Sequence, residues 1–227
     1  MTFDGFSQDL PVFLGEVAET NSKDWFEEHR DDYRRLFVDP ALSFIEAFSG
    51  AAQSFDPPLE AVPKINGSLR RINRDTRFSK DKRLYHDHMH LIFWTGDHPN
   101  RSPGIHVVIH TDGLGMGAGH WGFDAGQLAR YRSALGDPKA AGDLAKAIEA
   151  ARAGGGGELD PPHLARLPKG FSADPAHEDL LRYKGIVVRN TVLFPDALFG
   201  PGAVDYVAKR AEAYMPLHRW LVNRVYG

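Results

Sequence analysis

A short basic segment at residues 70–90 carries the side chains best suited to binding an anion. It reads RRINRDTRFSKDKRLYHDHMH, and its first fourteen residues hold seven lysine or arginine side chains. Only Asp75 and Asp81 lie among them, so this stretch has a net charge of +5. Arginine presents a planar fork of N–H donors that matches phosphate and carboxylate oxygens, and lysine adds a point charge. The stretch predicts an anion site, a docking surface or a structural Arg–Asp network.

The surroundings of the guanidinium groups distinguish these three hypotheses. A ligand site requires them to converge on a concave opening, whereas a docking surface spreads them over a flat or convex face. A structural network requires each guanidinium to be satisfied inside the protein. In a ligand site, Arg74→Ala should cost little stability, because no buried carboxylate loses its partner. In a sealed network the same change would leave Asp75 buried and unpaired.

Five histidines form a second candidate cluster. Three occupy alternate positions behind the basic segment and two lie on a predicted hairpin: His86, His88, His90, His106 and His110. Alternate residues of a strand share a face, so the imidazoles could meet. His-x-His also occurs in metal sites, but Asp87 is expected to face away and the arginines would repel a cation. We predict no metal and no cofactor, and expect the histidines to pack or hydrogen-bond in the sheet.

Glycine occupies every second position from Gly113 to Gly119. In a strand these glycines would leave one bare face, which is a mark of close approach by a backbone or a ligand. Residues 117–122 also match G-x-G-x-x-G, but no βαβ unit surrounds them, so we reject a dinucleotide site. Two explanations remain. A helix or a large aromatic such as Trp121 packs on the bare face, which we favour, or the face forms the floor of a pocket.

Composition sets broad limits on the protein class. The chain has 227 residues, 42% of them hydrophobic, no cysteine and a net charge of −3. Residues 1–60 alone carry a net charge of −9, so the chain as a whole is unlike a basic nucleic-acid-binding protein. We find no signal-peptide pattern and no apolar run long enough to cross a membrane. These features favour a cytoplasmic protein without a membrane association.

The elements that position these residues predict an α+β fold. Helices should pack on a mainly antiparallel sheet, because there is no regular βαβ alternation. We predict one domain over 1–227, with a helical part at 1–56 and a sheet with further helices at 62–227. The strands are expected at 65–74, 88–94, 104–110, 114–121 and 185–194. The run GGGG at 154–157 is expected to be a flexible loop.

The basic segment also resembles a known family. The pattern RxxRDxRF, followed by DKxxY, is similar to the signature of the DUF2461 family of bacterial and fungal proteins. The resemblance covers most of the chain, including NSKDWFEEHRDDY (21–33), GMGAGHW (115–121) and LPKGF (167–171). It implies no known activity and no catalytic residues. It does imply that six residues are signature positions: Arg71, Arg74, Asp75, Arg77, Lys82 and Tyr85.

We take those six residues as the candidate ligand-binding site. The expected ligand is a small molecule that bears a phosphate or carboxylate group, held either by a binding protein or by an enzyme. In an enzyme, Tyr85 or a nearby histidine would be the proton-transfer group. The alternatives are an interaction protein that docks an acidic partner or nucleic acid, and a purely structural Arg–Asp network. Nothing in the sequence bears on the oligomeric state.

Overall fold

Helices cover one face of an antiparallel sheet, as the predicted α+β class requires. The computed structural model describes residues 2–77 and 79–226. Within these residues one sheet has the strand order β1-β2-β3-β5-β4, and every neighbouring pair is antiparallel. The strands are β1 (Met89–Trp94), β2 (Gly104–Ile109), β3 (Leu114–His120), β4 (Glu158–Leu159) and β5 (Ile186–Val192). The antiparallel order confirms the predicted fold class and contains no dinucleotide-binding βαβ unit.

Helices precede, interrupt and follow the sheet. Several begin at side-chain caps: the Ser22 hydroxyl accepts a hydrogen bond from the Trp25 backbone N–H, and Asp124 with Gln127 forms a reciprocal capping box. The α-helices are α1 (Asp9–Thr20), α2 (Lys23–Glu28), α3 (Arg30–Asp32), α4 (Asp39–Ser54), α5 (Ala125–Leu135), α6 (Pro138–Gly155), α7 (Ala203–Glu212) and α8 (Met215–Leu221). Wider π-type turns span Tyr33–Val38 and Val222–Tyr226, and 3₁₀ turns span Glu178–Arg182 and Asp196–Phe199.

The inner face of the sheet forms the centre of the hydrophobic core. Alternate side chains of β1 to β3 are fully or almost fully buried there, including Leu91, Val107 and Met116, because alternate strand residues point to the same face. Helices α6 and α8 contact this face, and Phe48 of α4 packs its ring 4.4 Å from that of Phe93. One hydrophobic cluster joins the N-terminal helices to the sheet and the C-terminal helices.

The outer face carries the residues singled out by the sequence. The strand register places His90 opposite Val108, His106 opposite Gly117, and Gly117 opposite Arg189. These side chains point away from the core because they alternate with the buried set. The imidazoles and the glycines therefore share one surface of the sheet.

The predicted strand at 65–74 is wrong. Asn66 has a positive φ of 64°, and a Cβ at Gly67 would lie 2.8 Å from the Val62 carbonyl oxygen, so the chain turns tightly here. Isolated bridges alone tie the segment to its antiparallel neighbours, Leu69 to Leu91 and Asn73 to Tyr85. The basic segment is therefore an irregular flank beside β1, with its side chains free of strict alternation.

The predicted flexible GGGG loop is also wrong. Gly154 and Gly155 form the last turn of α6, and Gly156 ends the helix in the left-handed region with φ 69°. Gly155 is buried against Tyr214, where a Cβ would lie 2.5 Å from the phenol ring. Its carbonyl oxygen accepts hydrogen bonds from Asn190 Nδ2 (2.6 Å) and Arg210 Nη2 (2.8 Å). The run gives close packing rather than mobility.

No helix within the described ranges is both long and apolar enough to cross a membrane.

Two glycine substitutions should have opposite effects on stability. Gly119 has φ 140°, and a Cβ there would overlap the Ile186 carbonyl of β5. We therefore expect Gly119→Ala to lower the free energy of unfolding by at least about 2 kcal/mol. Gly15 lies in α1 with no atom close to an added Cβ, so Gly15→Ala should raise it by about 0.5–1 kcal/mol. Denaturant melts measure both, and an unchanged midpoint for Gly119→Ala would contradict the packing.

Candidate functional site

Two adjacent cavities open along the outer face of the sheet. The first, of about 340 Å³, is called here the arginine cavity and is lined by Asn66, Arg70, Arg71, Asn73, Asp75, His86, His88 and His90. The second, of about 540 Å³, is called the glycine cavity, and its lining includes His88, His90, His106, Val108, His110, Gly115, Gly117, Trp121, Val187, Arg189 and Thr191. His88 and His90 line both cavities, so the two cavities adjoin, and together they are called the groove here.

The histidines meet as the sequence predicted. His90 on β1 and His106 on β2 are joined by a hydrogen bond of 2.8 Å between Nε2 and Nδ1. The ring centroid of His88 lies 5.1 Å from that of His86 and 5.6 Å from that of His110. The imidazoles thus form a band across the middle of the groove, from the flank of β1 to the end of β2.

Burial keeps several of these imidazoles neutral. It lowers the pKa of His86 and of His106 to about 4, and lowers the pKa of His90 well below its usual value. Neighbouring groups add to the effect: His88 lowers the pKa of His86 further, and the positive charge of Arg70 lowers that of His106. At neutral pH these rings therefore offer hydrogen-bond donors and acceptors rather than positive charge.

A ladder of alternating charges connects the basic segment to His88. Asp81 accepts Arg74 Nη1 at 2.6 Å and Arg83 Nη2 at 2.9 Å, and Arg83 Nη1 lies 3.5 Å from Asp87. Asp87 Oδ1 is in turn 2.9 Å from His88 Nδ1. The expectation that Asp87 faces away from the histidines is wrong, because β1 begins only at Met89 and residues 86–88 do not alternate as in a strand.

The ladder orients His88 within the groove. The hydrogen bond from His88 lowers the pKa of Asp87, and Arg83 followed by Arg74 lowers the pKa of Asp81. Both carboxylates therefore stay ionised at neutral pH. With Nδ1 held by Asp87, the Nε2 atom of His88 is the ring nitrogen left for a ligand.

Of the remaining predicted site residues, some line the arginine cavity and others lie outside it. Asp75 lines the arginine cavity, but Arg77 holds it through Nε and Nη2 at 3.0 and 2.7 Å, and this pairing lowers the pKa of Asp75 to about 2. Lys82 Nζ donates to the Thr76 carbonyl at 2.9 Å. Tyr85 is buried and stacks on Phe26 with ring centroids 4.2 Å apart. Neither Lys82 nor Tyr85 lines the arginine cavity.

Among the predicted site residues that line the groove, Arg71 has a guanidinium group that no described residue pairs with. It is exposed, and it has no hydrogen bond or ion pair with any residue in 2–77 or 79–226. Its neighbour Arg70 donates to the neutral Asn100 side chain at 2.5 Å and has no carboxylate partner in the same ranges. Burial, and then the charge of Arg71, lower the pKa of Arg70. Two guanidinium groups without an ion-paired carboxylate among the described residues thus lie side by side at one end of the groove, and the charge of Arg71 helps to lower the pKa of Asp75.

The alternating glycines form part of the floor of the groove. Gly115 and Gly117 line the glycine cavity together with Trp121, which supports the pocket floor at these two positions, whereas a Cβ at Gly113 or Gly119 would meet carbonyl oxygens of β5. Trp121 stands at the wall with 51% of its surface exposed, and the Arg189 guanidinium lies 4.7 Å from its ring centroid. Arg189 is already paired with Asp160 at 2.9 Å.

Sequence reasoning did not single out several groove residues. Arg70 and Asn73 sit inside the basic segment but outside the signature, and Arg189 comes from a distant part of the chain. The available signal was the strand period, which places Arg189 on the same face as Gly117 once β3 and β5 pair. Among the described residues, no group of three or more histidine, cysteine, aspartate or glutamate side chains is placed to hold a metal ion.

The chain was compared with protein families, curated proteins and solved structures. Residues 10–220 match a family whose description reads "Conserved hypothetical protein (DUF2461)". No curated protein and no solved structure matches the chain.

The neutral histidines should make the fold sensitive to mild acid. In the unfolded chain a histidine titrates near pH 6.5, whereas His86, His106 and the buried His218 bind a proton only near pH 4 in the fold. Between these values the unfolded chain binds more protons, so the free energy of unfolding should fall as pH falls from about 7 to about 4. Denaturant melts in buffers without polyvalent anions measure this.

A non-titrating variant provides the control for that pH dependence. His106→Gln keeps a hydrogen-bonding side chain but cannot take up a proton, so its stability should decline less steeply over the same pH range. A parent protein with equal stability at pH 7.5 and pH 5 would contradict the assignment of neutral, protected imidazoles.

Proposed function

The chain belongs to the DUF2461 family, and because the description of that family names no activity, we propose a function from the groove itself. We propose that the protein binds a small ligand bearing a phosphate or carboxylate group, which is held at the arginine cavity. The observation that carries this proposal is the neighbouring pair Arg70 and Arg71, which have no carboxylate partner among the described residues.

The electrostatics of this pair favour an anion. Arg70 is half-buried, and bringing a cation out of water beside a second cation costs free energy unless an opposite charge compensates it. Asp75 is the carboxylate of the arginine cavity, and its two oxygens are already engaged by Arg77. An oxyanion between Arg70 and Arg71 would accept N–H donors from both guanidinium groups, which is the geometry that arginine offers to phosphate and carboxylate.

The rest of the cavity supplies neutral hydrogen-bonding groups. Asn66 and Asn73 line it with amide groups, and His86 and His88 line it with imidazoles. The two amides and the neutral imidazole of His86 can donate to or accept from a ligand without adding charge. His88, whose Nδ1 is held by Asp87, is also the group best placed for proton transfer if the bound ligand undergoes a reaction.

The signature then has two roles in this proposal. Arg71 serves the ligand, together with Arg70 from outside the signature. Arg74 serves the ladder that fixes Asp87 and His88, and Asp75 with Arg77 forms a pair at the cavity edge. This division explains why one segment combines paired and unpaired cations. A docking surface for an acidic partner is less well supported, because Arg70 and Arg71 line a concave cavity rather than a flat face.

Loss of Arg71 should remove most of the response to phosphate. We expect saturating phosphate to stabilise the parent protein, by about 2.7 kcal/mol when its concentration is 100 times Kd. Arg71→Ala should raise the Kd about tenfold or more, because it removes a charge-assisted hydrogen bond worth about 1.5–3 kcal/mol. Denaturant melts with phosphate, against chloride at the same ionic strength, measure the difference.

Two further arginine variants serve as controls. Arg166 is exposed and lies outside both cavities, so Arg166→Ala should retain the full phosphate response. Arg74→Ala should retain most of it as well, because Asp81 keeps Arg83 as a partner. A parent protein that phosphate does not stabilise, or an Arg71→Ala variant that responds like the parent, would refute the proposed site.

A further inference from the structure

We infer that the ligand carries a flat aromatic ring, which lies in the glycine cavity while its anionic group is bound by Arg70 and Arg71. This inference rests on the proposed function and names the class of ligand that the same groove accepts. It depends on three features of the groove: the distribution of charge along it, the shape of the glycine cavity, and the exposure of Trp121.

The arginine at one end of the groove is ion-paired, and the two neighbouring arginines at the other end are not. Arg70 and Arg71 have no carboxylate partner in the described ranges, whereas Arg189 at the far end is paired with Asp160 at 2.9 Å. Between them, burial holds the imidazoles of His90 and His106 neutral. A complementary ligand is therefore negative at one end only, and its remaining part is uncharged.

The glycine cavity is bounded in part by bare strand backbone. Gly115 and Gly117 line it without side chains of their own, and His110 Nε2 lies 3.0 Å from where a Cβ of Gly115 would stand. Gly117 also allows β5 to approach, since a Cβ there would lie 2.6 Å from the Val188 carbonyl oxygen. These glycines leave strand backbone as part of the cavity surface, between the side chains that line it. A planar ring can lie on such a surface with contact over its whole face.

The glycine cavity is also lined by an aromatic side chain that a ring could contact. Trp121 is 51% exposed, and the Arg189 guanidinium makes a cation–π contact with it, 4.7 Å from the ring centroid. An exposed tryptophan next to a cavity is a common feature of sites that bind rings. Val108 and Val187 add apolar surface to the same cavity. The cavity volume, about 540 Å³, lies within the range found for small-molecule sites.

Titration calorimetry with two phosphate monoesters tests the inference on the full chain. Methyl phosphate carries the anionic group alone, and phenyl phosphate adds a planar ring to the same group. We expect phenyl phosphate to bind at least tenfold more tightly than methyl phosphate. Cyclohexyl phosphate, of similar size but not flat, should bind with an affinity between the two.

Three variants assign the two halves of the ligand to the two cavities. Trp121→Ala should lose the advantage of phenyl phosphate and leave the Kd for methyl phosphate unchanged, whereas Trp121→Phe should keep most of that advantage. Arg71→Ala should weaken both esters by the same factor. Because Trp121 is half exposed, its replacement should leave the fold intact, and the unfolding midpoint of each variant verifies this.

The outcomes separate the inference from the proposal on which it rests. If methyl phosphate binds and phenyl phosphate binds no more tightly, the aromatic ligand is refuted and the anion site stands. If the advantage of phenyl phosphate persists in Trp121→Ala, the ring lies elsewhere and the inference is refuted. If neither ester binds the parent protein, the anion site itself fails and the inference fails with it.

Discussion

A chain of opposite charges, each paired with the next, holds the basic segment beside the open face of the sheet. It runs through Arg74, Asp81, Arg83 and Asp87, and Asp87 in turn holds His88 Nδ1 at 2.9 Å. Like charges this close would otherwise repel, so the interleaved carboxylates are what make the segment compatible with the fold. The same pairing occupies the oxygens of these carboxylates. Arg70 and Arg71, which precede the ladder, are left facing the arginine cavity without a carboxylate of their own among the described residues.

Local patterns in the sequence were enough to predict much of the fold. The hairpin of β2 and β3 follows from alternating residues around the turn at 111–113, and the start of α5 follows from Asp124 and Gln127. The same alternation placed His90 and His106 on one face before any pairing was known. These predictions succeeded because strand period and helix caps depend on neighbouring residues, which the sequence displays directly.

Features set by distant contacts could not be predicted in this way. The flank at 65–74 turns at Gly67 instead of extending, and the glycines at 154–157 pack against Tyr214 instead of forming a loose loop. The division of the arginines into paired and unpaired ones depends on which carboxylate each reaches in three dimensions. A motif of seven bases shows that positive charge is concentrated, but only the fold shows that Asp81 holds Arg74 while Arg71 is left unpaired with any described residue.

The most direct test of the anion site is diffraction from crystals soaked in selenate, whose anomalous signal locates an oxyanion without ambiguity. The account predicts one selenate ion at the arginine cavity, with its oxygens within hydrogen-bond distance of both Arg70 and Arg71, and loss of that ion in crystals of Arg71→Ala. An arginine cavity without selenate in the parent crystals, or selenate bound instead at Arg74, Arg77 and Lys82, would contradict it.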